Sequence, residues 1–184
     1  QYIEAAKAKG YTVLLLDSPI DGHQLQKLEQ EDDTHGFVRV DSDHIDKLIV
    51  KDEPQLSKLS DEQKEALKPL IENVVPKEQY TVQLEAMDSE ATPFMITQPE
   101  FMRRMKEMQQ TGGGGGMFAG GFPDMYQLVV NVNHPLVSQI LETKTKKKQE
   151  RLIKQSLDLA RLSQSLLKGE ELTAFIQRSF DMIK

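Results

Sequence analysis

The sequence predicts an α+β chain. A small α/β (βαβ) piece comes first, then an α+β domain with a small antiparallel sheet and a C-terminal helical hairpin. Three observations carry this expectation. Short apolar runs flank a helical stretch near the start. Three strand-like segments lie between residues 80 and 133. Two long segments with helical apolar spacing close the chain.

The elements follow in order. Residues 1–9 are rich in Ala, Lys and Glu and read as a helix stopped at Gly10. Thr12 to Leu16 is a continuous apolar run, the pattern of a strand covered on both faces. Asp17-Ser-Pro19 turns into a helix reaching about Glu29, and Phe37 to Val40 is a second short strand, which completes a βαβ unit. Residues 41–59 are polar, contain Pro54 and lack periodicity. The expected organisation is therefore residues 1–50 as an α/β piece, 51–59 as a linker and 60–184 as a second domain.

Ser60-Asp-Glu-Gln63 is a capping box, in which hydroxyl and amide side chains satisfy each other's backbone N–H. Leu67, Leu70, Ile71 and Val74 give the helix behind it one apolar face. Tyr80, Val82, Leu84 and Ala86 alternate with Thr81, Gln83 and Glu85, so this strand has one buried face. Thr92 to Ile96 is expected beside it, across a turn at Asp88-Ser-Glu90. Tyr126 to Asn133 is a third strand, and Pro135 opens a short helix with Leu136, Val137, Ile140 and Leu141 inward. Residues 147–168 form a helix with apolar side chains on more than one face, and Gly169 is expected at its C′ position. Glu170 to Ile183 carries a clean stripe of Leu172, Phe175, Ile176, Phe180 and Ile183.

Composition limits the function. The chain of 184 residues is 38% hydrophobic and 28% charged, which permits a core and a solvated surface. Without cysteine there is no disulfide, no thiolate metal site and no cysteine nucleophile. No run reaches the length of a membrane span. The opening residue is Gln1, which leads us to expect a piece of a longer protein. Residues 1–91 carry a net charge of −10 and residues 92–184 a net charge of +4, a total of −6 that argues against nucleic acid as the main partner.

The search for chemistry returns little. His23, His35, His44 and His134 lack metal-protease spacing, and no serine sits in a nucleophile elbow. Gly112 to Gly116 is followed by Met117-Phe-Ala, without the Lys and Ser/Thr that a phosphate loop requires. Asp41, Asp43 and Asp46 lack the glycine and the terminal glutamate of a calcium loop, so a solvated acidic stretch is the better reading. The four lysines between Lys144 and Lys148 read as a solvated connection. No catalytic residue and no metal ligand is assigned.

Two features point to protein partners. Six of eight methionines and four of seven phenylalanines lie between Phe94 and Met125, around the pentaglycine run. Thr97-Gln-Pro-Glu100 resembles a second capping box, and Phe101, Met102, Met105 and Met108 then share about a third of a helix circumference. Such a face is either ordinary core or an adaptable binding surface. Methionine repacks readily against varied partners, glycine favours flexibility, and Met117, Phe118 and Phe122 continue the apolar content inside the glycine-rich run. These observations favour binding, with residues 97–122 as the contact segment. The second feature is the terminal hairpin, which has more apolar surface than a small domain can cover. A copy across a two-fold axis would cover it, giving a dimeric four-helix bundle. The expected interface residues are Leu157, Leu162, Leu166, Leu172, Phe175, Ile176, Phe180 and Ile183.

Gly10 to Asp21, with its Pro-Ile-Asp segment, resembles the end of the middle domain of the heat shock protein 90 family, and Leu25 to Leu28 and Phe37 to Val40 extend the match. The Ser60 helix, the Tyr80 strand, Met102-Arg-Arg-Met105 and the helices from Leu136 to Ile183 are similar to the family's C-terminal domain. The resemblance implies a piece of an ATP-driven molecular chaperone: the dimerisation region with part of the middle domain attached. It implies a client-contacting helix at Phe101, Met102, Met105 and Met108, extending to Met117 and Phe118, and unfolded client proteins as partners. ATP and magnesium would act in a nucleotide-binding domain outside this sequence, so no cofactor and no enzyme activity are expected here. The ending Asp-Met-Ile-Lys184 lacks the acidic Met-Glu-Glu-Val-Asp tail of eukaryotic cytosolic members and resembles the bacterial HtpG type, with a cytoplasmic location implied. The rival reading is a scaffold module that dimerises without touching clients, its Met/Phe face buried as core.

Overall fold

A computed structural model describes residues 2–18, 20–32, 34, 36–40, 56–98, 102 and 125–183. The chain divides into two compact units, Gln1–Asp52 with Gln98–Phe122, and Glu53–Thr97 with Pro123–Lys184. The described residues form six α-helices and a three-stranded sheet.

In the first unit, α1 (Tyr2–Ala8) ends where expected. Gly10 adopts φ +78°. Its N–H bonds to Lys7 O at 2.9 Å, and the Tyr11 N–H reaches back to Ala6 O at 3.1 Å. This is the paired closure of a left-handed helix end. Helix α2 (Asp21–Glu31) follows. Before it, Ser18 N–H bonds to Asp21 Oδ2 at 2.9 Å, and Ile20 N–H to Ser18 Oγ at 3.3 Å. The expected βαβ unit is absent from the described residues. Thr12 to Leu16 and Phe37 to Val40 are not strands, and Leu15 is 79% exposed. A strand exists only with a neighbour to share its ladder, and among the described residues neither run belongs to the sheet. The apolar content of these runs identified surface that needs cover but could not supply the cover.

The second unit holds the core. Helix α3 (Asp61–Glu72) begins with the expected capping box, in which Gln63 N–H bonds to Ser60 Oγ at 3.2 Å and Ser60 N–H to Gln63 Oε1 at 2.9 Å. Leu67 and Ile71 are fully buried beneath it. Strands β1 (Tyr80–Glu85), β2 (Phe94–Thr97) and β3 (Tyr126–Asn131) assemble in the order β1-β3-β2. The sheet is mixed, not antiparallel: β1 runs parallel to β3, and β2 antiparallel to it. The expected β1–β2 neighbourhood is therefore wrong. Leu128, Val129 and Val130 are buried in succession, which requires cover on both faces and makes β3 the central strand. Tyr80, Thr81 and Val82 alternate buried, exposed, buried, as suits an edge strand.

Three helices complete the unit: α4 (Pro135–Glu142), α5 (Lys146–Ser163) and α6 (Gly169–Ile183). His134 caps α4, its Nδ1 accepting from Leu136 N–H at 3.0 Å. Val137 and Ile140 of α4 and Ile153, Leu157 and Ala160 of α5 join the core beside Leu67, Val82, Phe94 and Leu128. Helix α5 ends earlier than expected. Ser165, not Gly169, takes the left-handed position at φ +57°. Leu166 N–H bonds to Arg161 O at 2.9 Å and Ser165 N–H to Leu162 O at 3.0 Å. Gly169, at φ +58°, instead opens α6.

Two buried asparagines fasten the loops to this core. Asn131 Oδ1 accepts from Met87 N–H (3.2 Å) and Asn133 N–H (3.1 Å), and its Nδ2 donates to Asp88 O (2.7 Å). Asn133 Oδ1 accepts from Lys58 N–H (2.7 Å), while its Nδ2 donates to Leu56 O (3.1 Å) and Met87 O (3.0 Å). An amide carries both donors and acceptors, so each side chain satisfies several irregular backbone groups at once.

Candidate functional site

Of the six side chains expected to contact clients, the described residues include Met102 alone, helical and half-buried. Phe101, Met105, Met108, Met117 and Phe118 lie outside them, as do Pro99 and Glu100 of the second capping box, Gly112 to Gly116, residues 51–55 of the linker, and Asp41, Asp43 and Asp46. Thr97 is described: it is buried as the last residue of β2, and its hydroxyl donates to Gln127 Oε1 at 3.5 Å.

The terminal hairpin is described up to Ile183. Its eight expected interface residues divide by burial. Leu157 lies in the chain's own core, so its side chain is already committed within the protomer. Phe175 is buried as well. Leu166 and Leu172 are half-buried. Leu162, Ile176, Phe180 and Ile183 face outward, with exposures of 41, 45, 59 and 83%. Leu159 and Met182, which the sequence reading did not single out, are also exposed. Ile176, Phe180 and Ile183 are spaced i, i+4 and i+7, which places them on one face of α6. Leu159 and Leu162 lie three apart on α5, again on one face. The seam explains why these faces point away from the core.

That seam is mostly polar, and nothing in the apolar periodicity announced it. Asp158, with a side chain 3% exposed, receives Arg161 Nη1 at 3.3 Å and a closer contact from Arg178 Nη2. Arg161 also grips Glu171 in a two-pronged pair, Nη1 to Oε1 at 3.0 Å and Nη2 to Oε2 at 2.6 Å. Arg178 Nε donates to Gln155 Oε1 at 2.9 Å, and Gln155 Nε2 donates to Ser179 Oγ at 2.8 Å. Arg151 Nη2 reaches the Arg178 carbonyl at 3.2 Å. The Arg178 guanidinium stands 5.9 Å from the Phe175 ring centre, within cation–π range. Arg161, Glu171 and Arg178 belong to no apolar stripe, and only tertiary packing brings them together.

The electrostatics follow from these contacts. The hydrogen bond from Arg161 holds the Glu171 carboxyl below its ordinary value. The same bond raises the Arg161 guanidinium further above its own, against the opposing effect of burial. Burial pushes the Tyr80 phenol up, with Arg161 beside it opposing. Tyr80 in turn stacks on Tyr126, ring centres 5.6 Å apart. Among the described residues no His, Asp or Glu cluster could hold a metal, and no helix is long and apolar enough to cross a membrane. An open groove of about 320 Å³ lies along α3 and β1, lined by Lys68, Glu72, Val75, Lys77 and Tyr80 to Val82.

The described hairpin is two packed helices with outward apolar faces on a small α+β module. The chain belongs to the heat shock protein 90 family, described as Hsp90 protein, which matches residues 1–184. It is similar to the chaperone protein HtpG of Bacteroides fragilis (strain 638R), 32% identical with 99% of this chain and 36% of that protein covered. It is also similar to the chaperone protein HtpG of two Porphyromonas gingivalis strains. One, W83, is 39% identical over 92% of this chain and 24% of the relative. The other, ATCC 33277, is 42% identical over 76% of this chain and 21% of the relative. The chain therefore spans about a third or less of the length of these relatives.

Proposed function

We propose that this chain is the C-terminal dimerisation part of a molecular chaperone, carrying the end of the preceding domain. Two copies join through the outer faces of α5 and α6 in a four-helix arrangement, and the Met/Phe-rich segment of residues 97–122 meets unfolded client proteins. ATP hydrolysis belongs to another part of the whole protein, and this chain itself holds no cofactor and works in the cytoplasm. The observation that carries the reading is the exposed stripe of Ile176, Phe180 and Ile183. Uncovered apolar side chains in one row on a terminal helix are what a self-complementary interface requires. The names of the chaperone relatives support the wider role.

Sedimentation equilibrium tests the dimer. The expected result is a dimer with an interface of at least ~1,000 Å². Ile176→Asp and Phe180→Asp should each weaken association by tenfold or more while leaving the circular dichroism unchanged, because both residues are exposed in the protomer. A chain that is monomeric at every concentration would overturn the reading. The client role is tested separately in the whole protein: replacing Met102, Met105 and Met108 with serine should reduce suppression of client aggregation. Unchanged suppression would favour a scaffold without client contact.

A further inference from the structure

The hairpin seam is built asymmetrically. Helix α6 packs on α5, and Phe175 is its one buried side chain. Beyond the half-buried Leu172, the rest of its attachment is the polar set of Glu171, Arg178 and Ser179. The two oxygens of Asp158 are divided between partners. Oδ1 faces Arg161, which is on α5 itself and stands against Tyr80 of the sheet. Oδ2 takes Arg178, which belongs to α6. One counter-ion therefore stays with the core, and the other travels with the helix.

This division has a physical consequence. A buried carboxylate stripped of its only cation is strongly destabilised. Asp158 escapes that fate if α6 moves away, because Arg161 remains beside it. Arg178 returns to water, and Glu171 is already 60% exposed. The apolar loss falls on Phe175, the half-buried Leu172 and, in the connection, the buried Leu167. The connection between the helices, residues 164–168, contains Ser165 and runs into Gly169, both at positive φ. Each link in the seam thus has a satisfied state with α6 docked and another with α6 released.

We infer that α6 is a hinged arm, latched to α5 by Arg178 on Asp158, which leaves and rejoins as a unit while the sheet core stays folded. The inference concerns the single protomer and goes beyond the proposed dimer, although the exposed stripe rides on this arm. Local release of an element below the global unfolding limit is registered by amide exchange. The experiment is hydrogen exchange on the chain and on Arg178→Gln, compared at matched low concentration. Arg178→Gln removes the latch but leaves Asp158 paired with Arg161. The expected result is that α6 amides exchange about tenfold faster or more, while those of α3, β1, β3 and α4 change by less than about twofold. Arg178→Lys, which keeps the charge but not the fork, should fall between the two. Unchanged α6 protection would overturn the inference. So would equal acceleration in the sheet, or failure of Arg178→Gln to fold, since either makes arm and core one cooperative unit.

Discussion

Ser165 and Gly10 occupy the same kind of position with different side chains. Both close a helix in the left-handed region, at φ +57° and +78°. A β-carbon there crowds the backbone, whereas glycine does not. Ser165→Gly should therefore stabilise the chain by about 0.5 kcal/mol, the relief of strain exceeding glycine's extra unfolded-state entropy. A β-carbon at Gly10 would meet nothing within 4 Å, so the cost of Gly10→Ala is the backbone's own. That cost is about 1–2 kcal/mol, local to α1. Urea denaturation checks the first and the helical signal of α1 the second. Asn133 is a stronger case, since its amide serves Lys58, Leu56 and Met87 together. Asn133→Ala leaves three backbone groups without their partner and should cost about 2–4 kcal/mol by the same denaturation measurement. Glu171 fixes a direction with pH. Its folded-state carboxyl lies below the ordinary 4.5, so its contribution is present above that value and is lost as pH falls through the folded value. Glu171→Gln should flatten the acid limb of hairpin stability, measured as α6 amide protection from neutral pH downward.

At the scale of elements, the parts of the fold legible in the sequence are those governed by neighbours along the chain. The Ser60 box, the Gly10 stop, the Pro135 helix start and the alternation of Tyr80 to Val82 depend on residues within a turn or two. Strand pairing does not. Placing Thr92 to Ile96 beside β1 assumed that consecutive strands pair, but the continuous burial of Leu128 to Val130 makes β3 the centre. That run of apolar residues was visible, and its two-faced pattern was the available signal. The Thr12 to Leu16 run shows the converse: periodicity detects a demand for cover without naming what supplies it. In the hairpin, the stripe of Ile176, Phe180 and Ile183 was legible because amphipathicity is local. The Asp158–Arg178 contact was not, because residues 20 apart on two helices carry no joint pattern. The same limit applies to Leu157, whose apolar spacing fits an inner and an outer face equally well and which lies in the protomer's core.

At the scale of the whole molecule, the two units differ in how they are held. The second contains the continuous core of Leu67, Ile71, Leu128, Val130, Val137, Ile140 and Ile153, all essentially inaccessible. In the first, Ala6 is the buried apolar side chain among the described residues, and Leu14, Leu15, Leu16 and Ile20 are more than half exposed. Burial of apolar surface is the main force against chain entropy, so stability should be distributed as unevenly as the burial. Unfolding should accordingly proceed in two stages. Hydrogen exchange along a denaturant series should show the amides of α1 and α2 losing protection at low denaturant, with β3 and α4 holding until the final transition. A deletion of residues 1–52 should then leave the denaturant midpoint of β3 unchanged to within experimental error. A single coincident transition, or a marked drop in that midpoint, would mean that the first unit draws its stability from the second. The outward leucines of residues 14–16 would then have to be covered in solution.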